Sequence, residues 1–283
     1  MVIRLALALG IALAGSACSI VAQQASNRLS RDLSAGVLGQ DDLEIVAEGL
    51  PAYLLLLDGL IDGDPENAGL LLAGSRLYGA YAGGFAAEPE RRIRLAQKSE
   101  SYARAAVCLD ARALCAALDG SFDSFEAALA RTGVAEIDAL YGLATARAGL
   151  LQADSSNWEA LADLPRIEAM LLRVRTLDPD HDDGAVSMYL GVINCIRPES
   201  LGGRPAEGRR YFEDALARSN GNNQMARVLQ AEYCARLAFD REQHDALLDA
   251  ALGAEPRVRG LTLINTLAQR RARELKRSAD DFF

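Results

Sequence analysis

The chain has 283 residues, 50% of them hydrophobic, and carries 39 acidic against 30 basic side chains, a net charge of −9. That length supports one large domain or a repeat array with a substantial core, and the negative surface repels phosphate backbones, which excludes nucleic acid as a partner. Two histidines leave little material for acid–base catalysis.

Arg4, an apolar run from Leu5 to Leu13 and the small residues Gly15, Ser16 and Ala17 stand before Cys18. A positive start, a short hydrophobic stretch and a small-residue cleavage site make a secretory signal peptide. A cysteine directly after it marks the variety that is cut before the cysteine and lipidated on its sulfur; the alternative is an ordinary cleaved leader with a coincidental cysteine. The stretch falls short of the roughly 20 residues a bilayer span needs. Residues 1–17 are expected as a lipoprotein signal and 18–283 as one domain, anchored to a membrane through Cys18 in the periplasm. Ser19, where aspartate would retain a lipoprotein at the inner membrane, favours the outer membrane.

Beyond the leader the periodicity is helical and β-branched alternation is missing. A first helix is expected over residues 20–37, closed by the Gly39-Gln40 turn. A short helix follows with Asp41 or Asp42 as N-cap, and Pro51 then opens a separate segment from Ala52 to Ile61. Asp64-Pro65 starts the next helix, through Gly84, and Pro89 another, through Cys108. Further helices are expected over residues 121–131, 134–152, 156–177, 184–195, 205–219, 222–238, 241–253 and 257–277. Helix pairs with short turns predict an all-α chain of stacked hairpins. Gly208, Phe212 and Ala215, with Tyr189, Leu190 and Gly191 before them, keep the spacing of a tetratricopeptide repeat (TPR): a small residue lets two helices approach and the larger ones fill the next hairpin. Leu248, Ala251 and Pro256 repeat the pattern, and Tyr102 with Ala105 does so more faintly. The fold expected is therefore a degenerate TPR-like array with extra helices.

With Cys18 assigned to lipid, Cys108, Cys115, Cys195 and Cys234 remain. An oxidising compartment permits two disulfides in three pairings, of which Cys108 with Cys115 is favoured; four small buried hydrophobes is the other reading. Their spacing matches no zinc motif. The acidic loop Asp178-Pro179-Asp180-His181-Asp182-Asp183-Gly184 has alternate oxygen ligands but lacks the glutamate a calcium loop requires, so a solvated loop is the reading adopted. His244, beside Asp245, reads as a packing or surface residue. Leu201-Gly202-Gly203-Arg204-Pro205 has no lysine-serine partner for phosphate and follows no strand. Leu201, Gly202 and Gly203 therefore read as a partner-docking or structural loop. Arg270, Arg271, Arg273, Lys276 and Arg277 form the one basic concentration, a pattern the helix dipole favours near a C-terminus. No metal, cofactor or catalytic residue is expected.

Two segments exceed what an ordinary core needs. Residues 49–60, Gly49-Leu50-Pro51-Ala52-Tyr53-Leu54-Leu55-Leu56-Leu57-Asp58-Gly59-Leu60, are hydrophobic on all faces, which implies burial all round or one face against an apolar cavity. In Leu77-Tyr78-Gly79-Ala80-Tyr81-Ala82-Gly83-Gly84-Phe85 two tyrosines three apart share a face. The helices carrying Tyr53, Leu54, Leu57, Tyr78 and Tyr81 are expected to line a ligand cavity; a tightly packed helical core is the alternative for both segments.

These two segments carry a family resemblance. It continues through Trp158-Glu159-Ala160, Leu177-Asp178, Tyr189-Leu190-Gly191, the Leu201–Pro205 loop, Tyr211-Phe212-Glu213-Asp214-Ala215, Asn265, Ala268-Gln269 and the final Asp281-Phe282-Phe283. In these residues the chain resembles the T-component lipoproteins of TRAP (tripartite ATP-independent) transporters. The resemblance implies degenerate TPR-like hairpins, a homotrimer, and an apolar cleft or pore in each protomer. It also implies a small hydrophobic or carboxylate-bearing ligand and a partner, the substrate-binding P component of the uptake system. The alternative function is a TPR-like scaffold lipoprotein that binds peptides or outer-membrane assembly proteins.

Overall fold

The computed structural model describes Asp32, residues 35–154 and residues 161–283. The leader, Cys18, Trp158 and most of the helix expected over residues 20–37 lie outside the described residues. Among the described residues all regular structure is helical and no strand occurs. The main helices are α1 (Leu43–Gly63), α2 (Ala68–Gly84), α3 (Pro89–Asp110), α4 (Arg112–Ala117), α5 (Phe122–Leu129), α6 (Ile137–Ala153) and α7 (Leu164–Leu177). They continue with α8 (Ala185–Cys195), α9 (Pro205–Arg218), α10 (Gln224–Leu229), α11 (Arg241–Gly253), α12 (Thr262–Arg277) and α13 (Ala279–Phe282).

Their starts follow local chemistry. Asp42 Oδ1 accepts from the Glu44 amide at 2.9 Å, Asn67 caps α2, and Asp240 Oδ1 accepts from Gln243 at 2.9 Å. Each such cap is worth about 1 kcal/mol. Pro89 and Pro205 occupy first-turn positions, where the missing N–H costs nothing.

Several elements differ from the sequence reading. α2 starts at Ala68 behind its Asn67 cap rather than at Asp64-Pro65, and the short α4 was not expected. α1 is one 21-residue helix with Pro51 inside it, not two segments parted at the proline. An interior proline costs about 3 kcal/mol, but the stripe Val46, Leu50, Leu54, Leu57 and Ile61 runs unbroken past it into the core. Each such side chain gains about 1.5–3 kcal/mol on burial, so the stripe outweighs the proline. α12 starts at Thr262 rather than 257, because Gly260 takes a left-handed conformation (φ +79°) that no helix can include. The helix expected over 222–238 holds a π-helical stretch, Gln230–Ala235, which apolar periodicity does not reveal.

Consecutive helices pack as neighbours: α1 on α2, α2 on α3, α6 on α7, α8 on α9, α11 on α12. α3 and α6 also meet, and their shared core around Phe125, Leu140, Leu143, Ile167 and Met170 is the largest among the described residues. α12 returns to the start of the chain. Leu263 joins the α1–α2 cluster, the Arg270 guanidinium donates to the Gly84 carbonyl, and Arg257 Nε donates to Asp41 at 2.7 Å. The two ends of the helical series therefore touch.

The α8–α9 hairpin is closed by glycine. A Cβ on Gly191 would stand 2.8 Å from the Phe212 ring, and one on Gly208 would meet Cys195 Sγ and the Gly191 carbonyl. Phe212 is fully buried and Ala215 nearly so, and the Phe212 ring lies against Gly191 within its own hairpin. Two disulfides tie the helices: Cys108 to Cys115 across the α3–α4 corner, and Cys195 to Cys234 from α8 to the π-helical stretch. The first is the pairing the sequence favours.

Candidate functional site

The α1 sequence places its side chains on two opposed faces. The inner stripe puts Leu54 and Leu57 into a cluster with Leu70, Leu71, Leu77, Tyr78 and Tyr81 of α2. Four of the five expected ligand-site residues are thus together. Tyr53 is not among them. It stands on the outer face of α1, 39% exposed, with Ile45 at 59%, Leu55 at 72% and Leu56 at 45%. α1 is therefore not buried all round. It presents a convex apolar ridge, with open space around Gly49 and Gly59.

Asp58 sits where the inner cluster reaches its polar rim. It accepts from the Tyr78 hydroxyl at 2.7 Å and from the Tyr102 hydroxyl at 2.5 Å, so α1 binds α2 and α3 through one carboxylate. Lys98 Nζ lies 3.6 Å from the same carboxylate and over the Tyr102 ring, 4.9 Å from its centroid. Asp58, Lys98 and Tyr102 were not singled out for this role from sequence. The signal available was Asp58, a charged residue interrupting an apolar run and so in need of partners. Beyond the rim, Arg91 covers the Tyr81 ring at 5.3 Å and Tyr81 stacks on Phe85.

Burial first, then the hydrogen bond to Asp58 and its negative charge, push the Tyr78 and Tyr102 hydroxyls well above the ordinary tyrosine range. Tyr189 is likewise pushed up to about 12 by burial and Asp182. A tyrosine raised in the folded state contributes stability below its ordinary pKa of about 10 and loses it as pH rises further. Stability is therefore expected to fall above pH 10, and these phenols to ionise together with unfolding in an absorbance titration at about 295 nm. Ionisation of all tyrosines near 10 in the folded protein would contradict this. Tyr102→Phe should shift the alkaline transition while leaving neutral-pH stability changed by about 1 kcal/mol.

Leu201 ends a short 3-10 turn and is exposed. Gly202 adopts φ +78°, and a Cβ on Gly203 would collide with the Arg197 carbonyl, so both glycines are required by the turn itself. Arg204 then closes the hairpin, its Nε donating to Asn194 at 2.7 Å and its guanidinium pairing with Glu168. In the acidic loop, Asp182 and Asp183 take left-handed conformations and the Tyr141 hydroxyl donates to Asp182 at 2.7 Å. His181 stands 3.6 Å from Asp178 and 3.8 Å from Asp138. Among the described residues no group of three His, Cys, Asp or Glu side chains is placed to hold a metal ion. An open depression of about 480 Å³ lies elsewhere, lined by Leu252, Arg270, Arg273, Lys276 and Arg277.

Residues 39–283 match the family model of the TRAP transporter T-component. The chain belongs to that family. Its match takes in every described helix from α1 to α13, so the α1–α2 site and the basic depression both lie within T-component sequence. The T-component is also 28% identical over 263 residues to an uncharacterised protein of Treponema pallidum (strain Nichols), covering 86% of this chain and 81% of that one. Family membership makes this protein an accessory component of a TRAP transport system.

Proposed function

We propose that this T-component is a non-enzymatic, lipid-anchored periplasmic protein that assembles as a homotrimer through the outer ridge of α1. At that seam, beside Tyr53, it holds small hydrophobic or carboxylate-bearing ligands, while the buried Leu54, Leu57, Tyr78 and Tyr81 fix α1 against α2 from the other face. It passes them to the substrate-binding P component of its TRAP transporter. The observation that carries the reading is the exposed apolar ridge Ile45, Tyr53, Leu55 and Leu56. Large apolar side chains left to water on one helix mark a site of association, and a protruding helix face suits another helix better than it suits a pocket.

Two disulfides support an oxidising compartment. A Cys18 lipid would hold the protein close to its membrane partners and raise their effective concentration. The glycine-closed α8–α9 hairpin supports a TPR-like arrangement of the helix pairs, and exposed Leu201 offers a contact point on its rim.

Leu55→Glu with Leu56→Glu tests the reading on residues that support no core. Light scattering should find a trimer for the wild type and a monomer for the variant. Fluorescence of N-phenyl-1-naphthylamine, an apolar probe, should rise with the wild type and not with the variant. A monomeric wild type, or unchanged probe binding by the variant, would sink the reading.

A further inference from the structure

In a protein of net charge −9, the basic depression between α11 and α12 runs against the overall field. Its charges are not all compensated. Lys276 pairs with Asp249, and Arg271 beside it pairs with Glu232 and Glu274. Arg270 is held by an uncharged group, the Gly84 carbonyl, and by the Phe85 ring. Arg273 and Arg277 have no hydrogen bond, ion pair or ring contact among the described residues.

The helix dipole accounts for Lys276 and Arg277 in the last turn of α12. It does not account for Arg273 and Arg270, one and two turns earlier. Residues 270, 273 and 277 follow the i, i+3, i+7 rule and so share one face, the face that lines the depression. Their positions span about 10 Å along the axis, and Leu252 supplies an apolar floor between them.

We infer that this face is a docking surface for an acidic segment of a partner protein, one presenting carboxylates on successive helical turns around an apolar residue. Guanidinium groups take carboxylates through paired hydrogen bonds, and arginine is enriched at protein interfaces for that reason. A small monocarboxylate would engage one of the three arginines and leave the others unmet. An acidic helix matches their spacing. This deepens the docking half of the function proposed above and rests on it only for the partner's identity.

The test titrates the full chain with an acetylated helical peptide carrying glutamates at positions 1, 4 and 8, leucine at 5 and alanine elsewhere. Laurate is titrated in parallel. Binding of the peptide should weaken at least about tenfold between 20 and 200 mM salt, as screening of exposed charges requires. Arg273→Glu with Arg277→Glu should weaken it by about tenfold or more, and the milder Arg273→Ala with Arg277→Ala by less. Arg209→Glu with Arg210→Glu, on α9 away from the depression, should change it by less than about twofold. Equal losses from both reversed pairs, no loss from the first, or displacement of the peptide by laurate would overturn the inference. Trimer formation and naphthylamine binding by the Arg273/Arg277 variants should stay at wild-type level. Failure of the α1 reading therefore leaves the peptide result standing, and the converse also holds.

Discussion

Phe212→Ala is expected to lower the free energy of unfolding by about 3–5 kcal/mol, measured as a fall in urea midpoint at unchanged slope. The side chain is fully buried and lies against Gly191 on the facing helix. Its removal leaves a void that two helices pinned at Gly191 and Gly208 cannot close. A companion substitution shows whether the ring is the wedge between them. Gly191→Ala alone should cost about 1–3 kcal/mol, because its new methyl group would stand 2.8 Å from the Phe212 ring. In the Phe212→Ala background that penalty should vanish, giving a coupling in the double-mutant cycle. Additive losses would mean that the hairpin is not set by this contact.

Removing the Cys195–Cys234 bridge by paired alanine substitution is expected to cost about 4 kcal/mol, on the chain-entropy account of cross-links. The two cysteines are 39 positions apart, against 7 for Cys108 and Cys115, whose removal should cost about 2.5 kcal/mol on the same account. Denaturant unfolding of each pair variant gives the comparison. Before reduction, none of the four thiols should react with an aromatic disulfide reagent in the unfolded protein. Four free thiols there would contradict both bridges.

Local chemistry was legible in the sequence because it depends on neighbours a few residues apart. Asp240 starts α11, Pro89 and Pro205 start α3 and α9, and the small–large–small spacing at Gly208, Phe212 and Ala215 marks a tight hairpin. Pairing Cys108 with Cys115 needed only a corner between them, which Asp110 and Ala111 supply. Pro51 misled because its local cost is visible in sequence, whereas the buried stripe that overrides it depends on what α1 meets.

The same limit applied to the site. Uniform apolarity in residues 49–60 could not say which face of α1 would be left outside, and Tyr53 went there while Leu54 and Leu57 went in. Asp58 gained its importance from Tyr102, 44 residues away in sequence. The basic run near the C-terminus looked like a dipole effect until α11 placed Leu252 beside it and made a concavity.

Native mass spectrometry of the full chain, extracted from its host in mild detergent, examines the α1 ridge most directly. A three-chain particle carrying small apolar or carboxylate-bearing molecules is the predicted result, reduced to empty single chains by Leu55→Glu with Leu56→Glu. Empty single chains from the wild type would contradict it.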